Sequence, residues 1–112
     1  MKKDVQFLLD MFQSAKLITQ YTAQCSKEEF FDSIQLQDAV IRRLLVIAEA
    51  ARRVSQARRE TLPNIPWQEI NGMRNRLVHE YDDINFSVVW DVVQQEIPIL
   101  IRELELKISS EK

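Results

Sequence analysis

A chain of 112 residues is typical of one domain and too short for two cores of ordinary size, so residues 1–112 are expected to form a single domain. The hydrophobic fraction of 46% and the charged fraction of 29% are those of a globular protein, and they exclude an extensively disordered chain. The formal net charge of −2 argues against a protein that binds duplex nucleic acid through a uniformly positive surface. One glycine and three prolines favour helices over glycine-rich β hairpins.

The first half of the chain has the apolar spacing of two long helices. From Lys3 to about Thr22, apolar residues recur every three or four positions, which is the period of one helical face. Residues 26–29 (Ser-Lys-Glu-Glu) match a capping box and predict the start of a second helix. A break is expected at Asp32 and Ser33, after which the helix continues over residues 35–56 with a long apolar stripe.

The second half predicts two more helices. The proline-containing residues 62–67 interrupt the helical pattern, because proline removes a backbone donor and disfavours α geometry in the residue before it. A third, shorter helix begins at the end of this segment and is expected to end near His79 or Tyr81. A polar loop over residues 82–87 offers several N-cap residues for a fourth helix, in which Pro98 is expected to cause a kink.

These segments predict an all-α fold, an antiparallel up-down helical bundle of four main helices. The second helix is apolar over more than a narrow stripe, so burial of that face against a second copy is expected to give a homodimer. No signal peptide and no run of about 18 apolar residues is evident, which predicts a cytoplasmic protein without a membrane partner. With Cys25 and His79 the only residues of their types, we expect no metal site, and no motif indicates a cofactor.

Charge is segregated along the chain. Residues 42–76 contain eight arginines, no lysine and three glutamates, a net charge of +5, and the flanking segments together carry −7. Two interpretations stay open. The arginines can lie on solvated helix faces with intrahelical pairs such as Glu49 and Arg53, or they can form a patch that faces phosphate.

Chemistry-bearing side chains concentrate in residues 71–81. On a helix Asn75 and His79 share a face, so the amide can orient the imidazole, whereas Arg74 lies about 140° around the helix from His79. An imidazole that accepts and returns a proton, beside a guanidinium that binds phosphate, suffices for metal-free cleavage of RNA through its 2′-hydroxyl. The alternative is structural: His79 and Tyr81 cap the third helix and Arg74 pairs with a carboxylate.

Residues 74–81 (Arg-Asn-Arg-Leu-Val-His-Glu-Tyr) resemble the Arg-x-x-x-x-His-x-Tyr signature of the HEPN superfamily, in particular its HepT-like branch of toxin ribonucleases. The preceding segments 37–51 and 65–67 are similar to that branch in kind and order, so the resemblance covers most of the chain. Many relatives have glycine between the histidine and the tyrosine, where this chain has Glu80. A carboxylate at that position can repel phosphate or pair with an arginine of the motif.

The resemblance implies a dimeric helical bundle in which arginine and histidine from both subunits meet in a cleft and cut RNA without a metal ion. Arg74 and His79 would be the catalytic pair, Asn75 a helper and Arg76 a further phosphate-binding residue. Tyr81 matches the tyrosine that a cognate nucleotidyltransferase antitoxin modifies with AMP, which silences the toxin. Two other functions stay open: a non-catalytic partner subunit that binds a nucleotidyltransferase or a nucleotide, and a purely structural helical adaptor.

Overall fold

The computed structural model describes residues 2–110, and of Lys2 and Tyr81 it describes the backbone alone. This part of the chain is all-helical, as predicted. None of its helices is long and apolar enough to cross a membrane. The α-helices are α1 (Lys2–Thr22), α2 (Lys27–Asp32), α3 (Ile34–Arg53), α4 (Gln56–Glu60), α5 (Trp67–His79), α6 (Phe86–Asp91) and α7 (Ile97–Ser110), with a 3₁₀ turn at Tyr81–Asp83 and a π turn at Val92–Glu96.

Helix α3 lies at the centre of the packing. It packs most extensively against α1 and also against α5, and α1 in turn packs against α7. The core residues Leu8, Met11, Leu44, Ile47 and Leu104 are at most 1% exposed, and burial of each such side chain contributes about 1.5–3 kcal/mol. The up-down order of four main helices and the homodimer stay predictions.

The predicted break between α2 and α3 is confirmed. The Ser26 hydroxyl accepts a hydrogen bond from the Glu29 backbone N–H at 3.1 Å, and the Glu29 carboxylate accepts one from the Ser26 N–H at 3.0 Å, which completes the capping box. Ser33 then ends α2 and caps α3 by accepting from the Leu36 N–H at 3.1 Å. The buried Gln37 amide donates to the backbone carbonyls of the last turn of α2 and so fixes the corner.

The prediction that the second long helix runs to residue 56 is wrong by three residues. Helix α3 ends at Arg53, Val54 is extended, and Ser55 caps the short helix α4, which the sequence did not predict. The buried Asp4 carboxylate accepts from the Ser55 N–H at 2.9 Å and from the Ser55 hydroxyl at 2.6 Å. These bonds hold the pKa of Asp4 below its usual value, and they stabilise the non-helical backbone at Ser55.

The kink at Pro98 stays a prediction, but the turn before Pro98 departs from α-helical geometry. The Ile97 N–H donates to the carbonyl of Val92, five residues back, in place of the α-helical partner. Pro98 has no N–H to offer the carbonyl of Gln94, and its ring would crowd that carbonyl in a regular helix. The wider π turn relieves this conflict and leads into α7.

Candidate functional site

Helix α5 carries the candidate catalytic residues. It is anchored by Ile70 and Leu77, which are buried in the core with α3. Its last turn closes when the Glu80 N–H donates to the carbonyl of Arg76 at 2.9 Å, so the helix ends at His79, the first of the two predicted end points. The His79 side chain is therefore exposed at the carboxyl end of a helix.

Arg74 is fixed by a carboxylate of α3. Its Nε donates to Oε1 of Glu49 at 2.9 Å, and its Nη1 donates to the amide oxygen of Asn75 at 3.1 Å. The Arg74 side chain is 23% exposed and that of Glu49 is 45% exposed, so the guanidinium lies partly beneath the surface. The hydrogen bond from Arg74 holds the pKa of Glu49 below its usual value, with help from the charges of Arg74, Arg52 and Arg53 and against the effect of burial.

The sequence did not single out Glu49 as a partner of Arg74 in the same chain. The sequence indicated a pair with Arg53 of the same helix. In the structure it contacts Arg74, and its other oxygen lies 3.7 Å from Nη1 of Arg52. The structural interpretation of Arg74, pairing with a carboxylate, is thus an observed contact, and this contact fixes the position of the guanidinium.

Asn75 shares an exposed helical face with His79, but its amide oxygen is bonded to Arg74, and no hydrogen bond described between residues 2 and 110 joins it to His79. Helix α5 is continuous through His79, so no local unwinding brings Arg74 toward the histidine. The two lie about 140° apart around the helix and about 7.5 Å apart along it. The chain therefore presents the guanidinium and the imidazole on different sides of α5.

The remaining motif residues lie elsewhere. Arg76 lines a groove of about 490 Å³ between α5 and α6–α7, on a side of the helix about 200° from Arg74. Glu80 lines the same groove, whereas the carboxylate that contacts Arg74 is Glu49. Tyr81 begins the 3₁₀ turn after α5, and its side chain lies outside the described part of the structure. No cluster of three or more His, Cys, Asp or Glu side chains suited to a metal ion occurs among the described residues.

The chain is similar to known proteins over most of its length. The family model described as "Ribonuclease HepT-like" matches residues 11–106. "Putative RNase MJ1380" of Methanocaldococcus jannaschii is 37% identical over 106 residues, which cover 94% of this chain and 97% of that protein. "Probable ribonuclease HepT" of Thermococcus cleftensis is 33% identical over 99 residues, 88% of this chain and 90% of that one.

A third relative is longer. "Gamma-glutamylcyclotransferase and putative RNase MJ0434" of M. jannaschii is 40% identical over 112 residues, and the match spans 99% of this chain but 50% of that protein. No solved structure matches this chain at a significant level. The family match begins within α1, ends within α7 and covers α3 and α5 in full, including Arg74 and His79. The chain therefore belongs to the HepT-like ribonuclease family.

Proposed function

We propose that this protein is a metal-independent RNA endonuclease, the toxin of a toxin–antitoxin pair. The observation that carries the proposal is the arrangement on α5: an arginine fixed by Glu49 lies five residues before an exposed histidine at the end of the helix. The names of the relatives and the family match support a ribonuclease. The family resemblance also supports a homodimeric helical bundle, whose cleft would join the Arg74 of one copy with the His79 of the other.

In the proposed reaction, the His79 imidazole removes the proton of a ribose 2′-hydroxyl. The freed oxygen forms a bond to the adjacent phosphorus, and the bond from phosphorus to the 5′-oxygen of the next nucleotide breaks. The leaving oxygen takes a proton from an imidazolium, which gives a 2′,3′-cyclic phosphate and a 5′-hydroxyl. Arg74 stabilises the negative charge that develops on the phosphoryl oxygens, and Asn75 helps to hold Arg74.

Cleavage of RNA in EDTA tests this proposal. We expect wild-type protein to leave cyclic phosphate ends, and His79→Ala to lose cleavage while it keeps the far-UV circular dichroism spectrum and the melting temperature of the wild type, because His79 is exposed. Val78→Ala is the matched control, since Val78 is an exposed neighbour on the same helix. Full-rate cleavage by His79→Ala would refute the assignment.

We further propose that a cognate nucleotidyltransferase antitoxin silences the toxin at Tyr81. The phenol oxygen would form a bond to the α-phosphorus of ATP as pyrophosphate leaves, and the bulky anionic adduct, two residues from His79, would block the cleft and compete for the arginines. Intact mass after incubation with ATP and the antitoxin would show discrete AMP increments. Tyr81→Phe should show none, and an unchanged increment in that variant would place the modification elsewhere.

The ion pair between Arg74 and Glu49 favours one alternative: a non-catalytic helical subunit that binds a nucleotidyltransferase or a nucleotide and keeps Arg74 as a structural residue. This alternative predicts that unmodified wild-type protein cleaves no RNA at any concentration. The EDTA assay therefore separates the two functions.

A further inference from the structure

A second cavity lies on the side of α5 away from the groove that Arg76 and Glu80 line. It has a volume of about 270 Å³, which is just below the range of about 300–1,000 Å³ for small-molecule sites, so it suits one nucleotide at most. Helices α3, α4 and α5 each contribute to its walls, which consist of Ala48, Ala51, Arg52, Arg59, Trp67, Gln68 and Asn71. Two guanidiniums, an indole ring and two carboxamides thus surround one small space.

Hydrogen bonds hold Arg59 and Trp67 of this cavity in place. Nε of Arg59 donates to the carbonyl of Val54 at 3.0 Å and Nη2 donates to the carbonyl of Arg52 at 3.1 Å, so the described bonds use two of the five N–H groups of the guanidinium. The guanidinium carbon lies 5.9 Å from the centre of the Trp67 ring. The indole N–H (Nε1) of Trp67 donates to the carbonyl of Leu62 at 3.1 Å, which fixes the plane of the ring.

The other polar side chains of the cavity are accessible. Arg52 is 49% exposed, and its distance of 3.7 Å from Glu49 makes a long, weak ion pair. Gln68 and Asn71 are exposed and lie about one turn apart on α5. The small side chains of Ala48 and Ala51 leave the space between these groups open.

The charges of the two cavities differ in sign. The groove between α5 and α6–α7 has Arg76 among its lining residues together with five acids, Glu69, Glu80, Asp83, Asp91 and Glu96. The smaller cavity is lined by two arginines and by no acid among the described residues. An anionic ligand is therefore attracted to the side of Arg52 and Arg59 and repelled from the groove.

The cavity is connected to Arg74 through Glu49, which contacts both Arg52 and Arg74. Asn71 lines the cavity, and Asn75, whose amide oxygen accepts a hydrogen bond from Arg74, lies one helical turn further along α5, about 6 Å away. This distance is comparable to one nucleotide step of an extended single strand. A strand whose phosphate contacts Arg74 thus has its neighbouring nucleotide at the cavity.

We infer that this cavity is a nucleotide subsite, which holds the nucleotide next to the cut phosphate of single-stranded RNA. Arg52 and Arg59 bind its phosphate, its base stacks on the indole of Trp67, and Gln68 and Asn71 contact the polar edge of the base. This inference rests on the proposed ribonuclease function and adds a determinant of substrate binding to it.

Binding of an uncleavable oligonucleotide tests the subsite independently of catalysis. The probe is a fluorescein-labelled single-stranded RNA with 2′-O-methyl groups, measured by fluorescence anisotropy over a range of salt concentrations. Arg52→Gln should weaken binding roughly tenfold and reduce the salt slope by about one, because it removes one phosphate contact. Asn71→Ala should weaken binding a few-fold with the salt slope unchanged.

Arg53→Gln is the matched control, because Arg53 is the next residue of α3, equally charged and exposed, and lines a cavity on another side. It should change the dissociation constant by less than about twofold. Equal losses of affinity in Arg52→Gln and Arg53→Gln would overturn the subsite and indicate diffuse electrostatic attraction instead. Absence of RNA binding by the wild type would also overturn it. So would a polyglutamate peptide that binds at the same residues more tightly than the RNA does. Binding that depends on Arg52 in a protein that cleaves no RNA would support the subsite and refute the proposed catalysis alone.

Discussion

An exchange of Glu49 and Arg74 separates a structural role of the arginine from a catalytic one. In the double variant Glu49→Arg, Arg74→Glu, opposite charges again face each other between α3 and α5, where Arg74 Nε and Glu49 Oε1 are now 2.9 Å apart. The guanidinium, however, no longer occupies the motif position. Each single variant instead places two like charges together.

The expected loss of stability is small. Because the two side chains are 23% and 45% exposed, solvent screens the pair, and its loss lowers the free energy of unfolding by about 0.5–1 kcal/mol. Repulsion in a single variant adds a similar amount. A total of about 2 kcal/mol lowers the melting temperature by roughly 8 °C or more and leaves a protein of ordinary stability folded. Loss of a preorganised donor to a developing oxyanion, by contrast, slows the reaction by about 10²–10³-fold.

Thermal unfolding by circular dichroism and RNA cleavage in EDTA are measured for the wild type, both single variants and the exchange. We expect the exchange to recover most of the melting temperature that the single variants lose, and to cleave at least about 100-fold more slowly than the wild type, as Arg74→Glu does. Recovery of cleavage together with stability would refute the reasoning, because Arg74 would then act only through its pair with Glu49.

Three further predictions concern stability. Leu44→Ala should lower the free energy of unfolding in urea by about 2–5 kcal/mol, because Leu44 is fully buried in α3. Gly72→Ala should raise the melting temperature by an amount equivalent to about 0.5–1 kcal/mol, since a Cβ at Gly72 meets nothing within 4 Å, and a lower value would indicate a close contact there. The pKa values of Asp4 and Glu49 are lowered in the folded protein, so the two ionised carboxylates stabilise the fold at pH values above the ordinary carboxylate pKa. This stabilisation is lost as the pH falls below about 4, through the folded-state pKa values. In Asp4→Asn the urea midpoint of unfolding should therefore fall less steeply with decreasing pH than in the wild type.

The features that the sequence predicted correctly depend on neighbours along the chain. The capping box of Ser26 and Glu29 joins residues three positions apart, and the end of α5 at His79 follows from a polar segment directly after it. The features it missed depend on distant partners. Ser55 leaves the helix because Asp4, 51 positions away, bonds to it, and Glu49 contacts Arg74 from 25 positions away. Helical spacing does not identify such long-range partners. It indicates which residues share a face of a helix, but it does not indicate which other helix packs against that face.

The proposed site depends on the fact that α5 presents different chemistry on different sides. Gln68, Asn71, Asn75 and His79 lie within about 80° of one another around the helix and form an exposed polar stripe, and the acidic groove that includes Glu69 and Glu80 lies on another side. Anionic RNA is therefore directed away from the acidic groove, to the cavity of Arg52 and Arg59 and the neighbouring Arg74. Because the helix is continuous through His79, a phosphate held by Arg74 lies on a different side of α5 from the imidazole of the same chain. A second copy that faces this side of α5 would bring its own histidine to the phosphate, and this is the physical reason why the proposed nuclease should work as a dimer.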